Sequence, residues 1–177
     1  MDLFEAIKER HSYRGAYKDE GIPEEHLRKI VDAGLKAPSG KNMQTTRFVI
    51  VNDPDILKKI GDMEGARKAV QQAKAIILSV IDKHPEKVYE GMSFEVEDCA
   101  AAVENMLLAI TGLGYGSVWI DGWLRVKNRA EQIGELVGLP EEKIVRVLLP
   151  VGVPAEEAER KEKMPFEQRA FFNKYGA

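Results

Sequence analysis

A single cysteine, Cys99, excludes an internal disulfide framework and any paired-cysteine metal or redox motif. Histidine is nearly as scarce: His11, His26 and His84 stand far apart without metal-ligand spacing, which argues against a zinc site. No stretch approaches the roughly eighteen apolar residues of a membrane span, and the opening MDLFEAIKER is amphipathic, unlike a basic region followed by an apolar run. Charge of one sign is not in excess. Twenty-six Lys and Arg face 29 Asp and Glu, a net charge of −3, so no long cationic face is available to follow a nucleic-acid backbone. These absences predict a cytoplasmic protein that binds neither nucleic acid nor membrane. Also missing are internal repeats, low-complexity linkers, a GxSxG elbow, a Walker lysine loop and a GxGxxG dinucleotide fingerprint. Cys99 follows Glu97 and Asp98 on a predicted helix, where negative charge disfavours a thiolate, so it reads as a packed structural cysteine. Without a metal, nucleophile or acid–base dyad, an enzyme of this sequence has to take its reactivity from a cofactor.

What is present is enough for one domain over residues 1–177, with 44% hydrophobic content to fill its core. Asp2 and Glu5 form an Asp version of a capping box ahead of a short helix whose apolar stripe is Leu3, Phe4 and Ile7. A second helix starts near Pro23 and stops at APSG. RFVIVND, 47–53, reads as a buried strand, and Asp53-Pro54 as the N-cap and first position of the next helix. Helical segments over about 54–61 and 66–73 precede a second buried strand, AIILSVI. The longest helix spans about Ser93 to Leu113, on the period of Val96, Ala100, Val103, Met106, Leu107 and Ile110. Glycines at 112, 114 and 116 end it and lead into a short strand, SVWIDG. Asn128 and Glu131 open one more helix, and KIVRVLLPVGV is the last strand. The tail from Pro154 is charged and then aromatic, and Phe166, Phe171, Phe172 and Tyr175 need a surface to pack on, either this subunit or a partner. Alternating helices and strands alone predict a parallel α/β sheet.

Four stretches could carry chemistry. ERHSYRGAY, 9–17, packs Arg10, His11 and Arg14 around the hydroxyl of Ser12, a set able to grip a phosphate through charge-assisted hydrogen bonds. The same cations would also suit a solvated turn at the negative end of a helix. APSGKNMQTTRF, 37–48, offers Ser39, Asn42 and Gln44 as donors and acceptors for the edge of a flat heteroaromatic ring, or simply as turn formers. GLGYGSVWIDGW, 112–123, has glycines that let backbone approach a ligand, or that merely end a helix. RKEKMP, 160–165, is a cationic patch that also fits plain solvated surface.

Taken in order, these stretches resemble the nitroreductase family of FMN-dependent oxidoreductases. That family's R-[RH]-S-x-R type motif is matched by Arg10, His11, Ser12 and Arg14. Its A-P-S-x-x-N-x-Q-P-W-x-F is matched by Ala37, Pro38, Ser39, Asn42, Gln44 and Phe48, with Thr45-Thr46 in place of Pro-Trp. Asn105 to Ala109, Gly112 to Gly114 and Val118 to Gly122 follow its central helix and the turn after it, and Lys161, Lys163 and Pro165 its closing K-x-[RK]-x-P. The resemblance implies an α+β fold: a three-layer sandwich with a mixed, largely antiparallel central sheet, wound into an intertwined homodimer. Residues 154–177 would then be an extension packing on the body or on the partner subunit.

It further implies that Arg10, His11, Ser12, Arg14, Lys161 and Lys163 hold the FMN phosphate and ribityl chain. Pro38, Ser39, Asn42 and Gln44 would come from the other subunit to line the ribityl chain and isoalloxazine. Backbone at Asp121 and Gly122, after Ile120, would approach flavin N5. Arg67 and Lys68 are left unassigned. The implied activity passes a hydride from NAD(P)H through the flavin to a nitroaromatic, a quinone or another conjugated electrophile. Two alternatives stay open: a specialised flavin enzyme (enone reduction, dehalogenation, or flavin itself as substrate), and a flavin- or small-ligand-binding module without turnover.

Overall fold

Three antiparallel strands carry the architecture, and a computed structural model describes them within residues 1–176; Ala177, the end of the expected C-terminal extension, lies outside the described residues. Along the chain run α1 (Leu3–Glu9), α2 (Glu24–Leu35), β1 (Arg47–Val51), α3 (Pro54–Gly61), α4 (Lys68–Gln71) and β2 (Ala75–Asp82). There follow α5 (Glu95–Gly112), α6 (Arg129–Leu136) and β3 (Lys143–Val151), with single 3-10 turns at Gly40–Asn42 and Phe166–Gln168.

Local chemistry sets most of these boundaries. Asp2 accepts from the Glu5 N–H at 2.9 Å while Glu5 accepts from the Asp2 N–H at 3.0 Å, the reciprocal capping box. Asp53 accepts from two N–H groups of α3, with Pro54 at its first position. The helix expected over 66–73 shortens to α4, one turn. Asn128 precedes α6 in a left-handed conformation with no side-chain capping bond, so it does not act as the expected cap.

β2 occupies the centre, in the order β1-β2-β3, and is buried at every position except its last. A strand covered on both faces has no polar side to show, hence its unbroken apolar run. Both pairings are antiparallel, with Val49 opposite Leu78 and Ile77 opposite Leu149, and the register shifts between Ser79 and Val80. The parallel sheet predicted from helix–strand alternation is therefore overturned, and among the described residues no pairing supplies the parallel part of a mixed sheet. SVWIDG contributes only isolated bridges: Gly116 to Gly152 just before it, and Ile120 to Leu148. The fold is α+β.

Two apolar cores lie on opposite faces of this sheet. On one, Ile77, Val147 and Leu149 meet Val103, Met106 and Ile110 of α5, with Ile30 of α2 behind them. On the other, Ile76, Leu78 and Leu148 meet Ile60 of α3, Val70 of α4 and Ile133 of α6. Val96, expected on the buried stripe of α5, is exposed. The stripe of α1 is exposed as well, Leu3 at 62%, Phe4 at 81% and Ile7 at 50%, because only Ala6 turns inward. In the tail, Phe166 pairs with Phe172 and Phe171 with Tyr175, while Phe166, Phe172 and Tyr175 remain exposed. No helix among the described residues is long and apolar enough to cross a membrane.

Cys99 sits in the first core, and burial pushes its thiol up to about 11, with the positive field of Arg146 pulling the other way. The cause is therefore desolvation first; Glu95 and Asp121 contribute the negative field, and the adjacent Glu97 and Asp98 do not. Because the folded thiol titrates above its unfolded value, the stability it carries is complete below about pH 9 and is lost as pH rises through about 11. The loss is on the order of 2 kcal/mol. Urea unfolding between pH 8.5 and 11 should therefore fall off more steeply for the native chain than for Cys99→Ala. Parallel slopes would remove Cys99 from the account.

Candidate functional site

The loop after α1 is fastened from beneath by two tyrosines. Tyr13 and Tyr17 are buried with ring centroids 5.3 Å apart; the Tyr13 N–H donates to Ser117 O at 2.8 Å, and the Tyr17 hydroxyl to Pro150 O at 3.2 Å. With those rings facing inward, Ser12 just before Tyr13 stays half-buried and Arg14 between the rings is exposed. Gly116 and Gly152 bond to each other and form the floor: a Cβ on Gly152 would stand 2.5 Å from Tyr17 Cγ, and one on Gly116 3.0 Å from the Tyr13 ring.

The start of the tail lies against this same loop. Lys18 N–H donates to Val153 O at 2.8 Å, Ala155 N–H to Ala16 O at 2.9 Å, and Ala16 N–H reaches the Glu156 carboxylate. Further along, Arg160 is hydrogen-bonded to Glu9 at the end of α1. Residues from the two ends of the chain are thereby brought together around a cavity of about 850 Å³, whose walls include Arg10, His11, Ser12, Arg14, Lys161 and Lys163. Lys8, Arg67 and Arg160 add further positive charge, and Glu159 is the one acid among the lining residues. A chain that is acidic overall has concentrated its cations here, which is what recognition of a polyanion by field and hydrogen bond requires.

Individual partners leave many donors free. Arg10 Nε lies 3.2 Å from Glu104 Oε1 but off the axis of a hydrogen bond, so the two share a charge contact, and its Nη groups have no acceptor among the described residues. His11 Nδ1 is 2.9 Å from Glu9 O; a carbonyl only accepts, so Nδ1 carries a proton and Nε2 remains for a ligand. Arg14 touches Ser12 O at 3.3 Å through one nitrogen alone.

A second cavity, about 220 Å³, shares Arg14 and Arg67 with the first and is otherwise bounded by Val118 to Trp123 and by Ala69 and Val70. Ile120, Asp121 and Gly122 all line it. Ile120 exchanges both backbone hydrogen bonds with Leu148, at 3.1 and 2.9 Å, and so fixes the segment against β3. The next two N–H groups, of Asp121 and Gly122, have no acceptor among the described residues, and a side chain on Gly122 would meet nothing within 4 Å. The Asp121 carboxylate is turned away onto Arg125 at 2.9 Å and Arg146 at 3.6 Å.

Pro38, Ser39 and Gln44 lie elsewhere, lining a cavity of about 630 Å³ that shares no residue with the other two. Asn42 is exposed on the 3-10 turn, its carbonyl 3.4 Å from Gln44 Nε2. This loop is held in an uncommon shape, with Lys41, Asn42 and Gln44 all at positive φ near 50°. Ser39 Oγ accepts from Gln44 N–H at 2.9 Å, and the buried Asp98 accepts from Gly40 N–H at 2.9 Å. Within one chain the loop is thus braced but separate from the cationic cavity. Arg67 is the residue that sequence reasoning left unassigned: it belongs to both joined cavities, whereas Lys68 is drawn off toward Glu156. A cation just ahead of a one-turn helix carries no local signal of that position.

Comparison with known proteins places the chain by sequence and by fold. The model of the Nitroreductase family matches residues 7–87 and 64–153. A protein of Methanothermobacter thermautotrophicus described as an NADH dehydrogenase/NAD(P)H nitroreductase is 37% identical over 156 residues, 88% of this chain and 79% of its own. Among solved structures, a protein of Bacteroides thetaiotaomicron with the same description superposes with a TM-score of 0.83 at 29% identity, over 98% of both chains. A nitroreductase of Desulfovibrio desulfuricans, solved in complex with FMN, gives a TM-score of 0.77 at 31% identity over 95% of both. Matched along most of its length in sequence and in fold, the chain belongs to the nitroreductase family of oxidoreductases.

Proposed function

We propose that this protein is an FMN-dependent NAD(P)H oxidoreductase that reduces a nitroaromatic, a quinone or another conjugated electrophile in the cytoplasm, where NAD(P)H is at hand. The observation that carries the reading is the meeting of Arg10, His11, Ser12 and Arg14 with Lys161 and Lys163 around one cavity, joined through Arg14 and Arg67 to a second one with two free backbone donors. The donor set suits FMN at both ends. Guanidiniums, ammoniums and a hydroxyl fit a phosphate dianion and the ribityl hydroxyls. The Asp121 and Gly122 N–H groups, beside the flat surface of Trp123, fit the ring edge that includes N5.

When bound, FMN supplies the two-electron chemistry, accepting from NAD(P)H and giving to the acceptor. The chain's own part is to bind, orient and polarise. Arg10, Arg14, Lys161 and Lys163 neutralise the phosphate, and His11 Nε2 is free to accept a hydrogen bond from a ribityl hydroxyl. Asp121 and Gly122 present donors that are already oriented by the Ile120–Leu148 pairing, so they need no reorganisation when charge develops. Pairing of Asp121 with two arginines keeps its carboxylate from opposing that charge. Arg67 adds a cation where the cavities meet.

Pro38, Ser39, Asn42 and Gln44 serve the site of a second copy, in an intertwined homodimer with the sandwich architecture of the family and FMN at the interface. Their separation from the cationic cavity in one chain supports this, as do the exposed Leu3, Phe4 and Ile7 of α1 and the exposed aromatics of the extension at 154–177. Apolar surface of that kind suits an obligate interface. Purified protein is expected to be yellow, to have the mass of two chains by light scattering, and to release a chromophore with the mass of FMN. Under anaerobic conditions NAD(P)H should bleach the flavin band within seconds, and a quinone or nitroaromatic should restore it. Bound flavin that NAD(P)H leaves oxidised would make the protein a binding module; a colourless protein that takes up no FMN would end the proposal.

A further inference from the structure

Arg129 is a buried cation with no part in the steps above. It opens α6 at 6% exposure, and all its side-chain hydrogen bonds go to neutral carbonyls: Nη1 to Trp123 at 3.0 Å and Val126 at 3.2 Å, Nη2 to Glu64 at 2.8 Å. Its Cζ lies 5.0 Å from the centre of the Trp123 ring, and Trp123 Nε1 donates to the same Glu64 carbonyl at 3.2 Å. Gly65, at φ +75°, supplies the left-handed backbone turn that passes beside the indole and the guanidinium.

Buried charges normally have a partner of opposite sign, because desolvating one alone is costly. The acid within reach of Arg129 is Glu64, whose carboxyl is held below its usual range by a hydrogen bond to Lys127 first and by the field of Arg129 last. Glu64 is fully exposed and already matched by Lys127, so that surface pair cancels and the charge of Arg129 stays uncompensated. The neighbouring acid on the other side, Asp121, is itself matched by Arg125 and Arg146.

The two stretches that Arg129 joins lead into two separate wall segments of the smaller cavity. The turn from Glu64 leads to Arg67, and the turn from Asp121 to Val126 carries Gly122 and Trp123. We propose that Arg129 is a positioning residue that clamps these two wall segments together and sets a net positive charge one indole ring behind the cavity, favouring the reduced form of the flavin. This rests on the FMN reading above. A unit charge at about 10 Å under an effective dielectric near 20 shifts such an equilibrium on the order of tenfold.

Two variants of the holoenzyme separate charge from clamp. Arg129→Gln keeps donors and loses the charge, whereas Arg129→Lys keeps the charge and loses the three-carbonyl fork. Spectroelectrochemical titration of bound FMN should show the reduced/oxidised equilibrium falling about tenfold in Arg129→Gln and within about twofold of native in Arg129→Lys. Tryptophan emission should shift to the red in both, as Trp123 loosens. Should the core variants fail to fold, Lys127→Glu at the surface leaves two acids beside Arg129 and must move the potential in the same direction. An unchanged potential in folded, flavin-loaded Arg129→Gln, or in Lys127→Glu if that is the variant left, overturns the charge. Unshifted tryptophan emission in both Arg129 variants overturns the clamp. A native protein that takes up no FMN refutes the cofactor reading, and the charge role falls with it; the emission measurement still decides the clamp.

Discussion

Replacing Arg10 and Arg14 together with alanine yields a folded, colourless protein. Each guanidinium contributes charge-assisted hydrogen bonds to an anion, worth roughly 1.5–3 kcal/mol apiece. Losing both weakens FMN binding by roughly 3–6 kcal/mol, a rise in Kd on the order of 10²–10⁴. Neither side chain supports the core. Arg14 is exposed and makes one long bond to Ser12 O, and Arg10 has only the charge contact with Glu104. The circular dichroism spectrum and thermal midpoint should therefore stay near native while flavin content collapses. Lys161→Ala should act in the same direction with a smaller effect, because an exposed ammonium on a flexible stem lacks the fork geometry of arginine. Full retention of stoichiometric FMN by the double variant would show that the cations of the N-terminal loop do not hold the phosphate.

A second large effect is expected at a position with no functional group at all. Gly152→Ala puts a methyl 2.5 Å from Tyr17 Cγ and 2.7 Å from Cδ1, with the ring already trapped between Tyr13 and a hydrogen bond to Pro150. The ring cannot swing aside without giving up its burial. Overpacking together with the strained hydroxyl bond should cost roughly 2–4 kcal/mol, read as a lower urea midpoint. Because Tyr17 and Tyr13 fasten the loop that presents Arg10 to Arg14, flavin affinity should fall with stability. Tyr17→Leu in the same background should recover part of the loss by vacating the space. A native midpoint in Gly152→Ala would mean that the loop is not pinned through this ring.

These expectations differ in how far the sequence foretold them. The acceptor residues of the capping box and of the α3 cap were legible because capping is settled within three or four residues. The apolar run of β2 was legible because a strand buried on both faces has no alternation to hide it. The residues of the cationic cavity were identifiable by their order and type, through resemblance to a family, although each stretch alone fitted an ordinary turn. Gly116 belongs to the glycines that end the long helix and Gly152 to the last strand, but the steric purpose of both lies in rings more than a hundred residues away along the chain.

Sequence by itself determined most of the segments that become helix or strand, though not SVWIDG, which forms only isolated bridges, and it determined which segments are apolar enough to be central and which family motifs the chain carries. Tertiary structure alone decided the antiparallel order of the strands, since pairing direction depends on how connections are routed and not on the composition of any strand. It also decided that the stripe of α1 stays uncovered, because periodicity specifies an apolar face without specifying what meets it. Above all it brought Lys161 and Lys163 beside Arg10 and Arg14, and made Arg67 and Arg129 neighbours of one cavity. Electrostatic recognition depends on distance in space, and a linear string of residues carries that distance only after the chain has closed on itself.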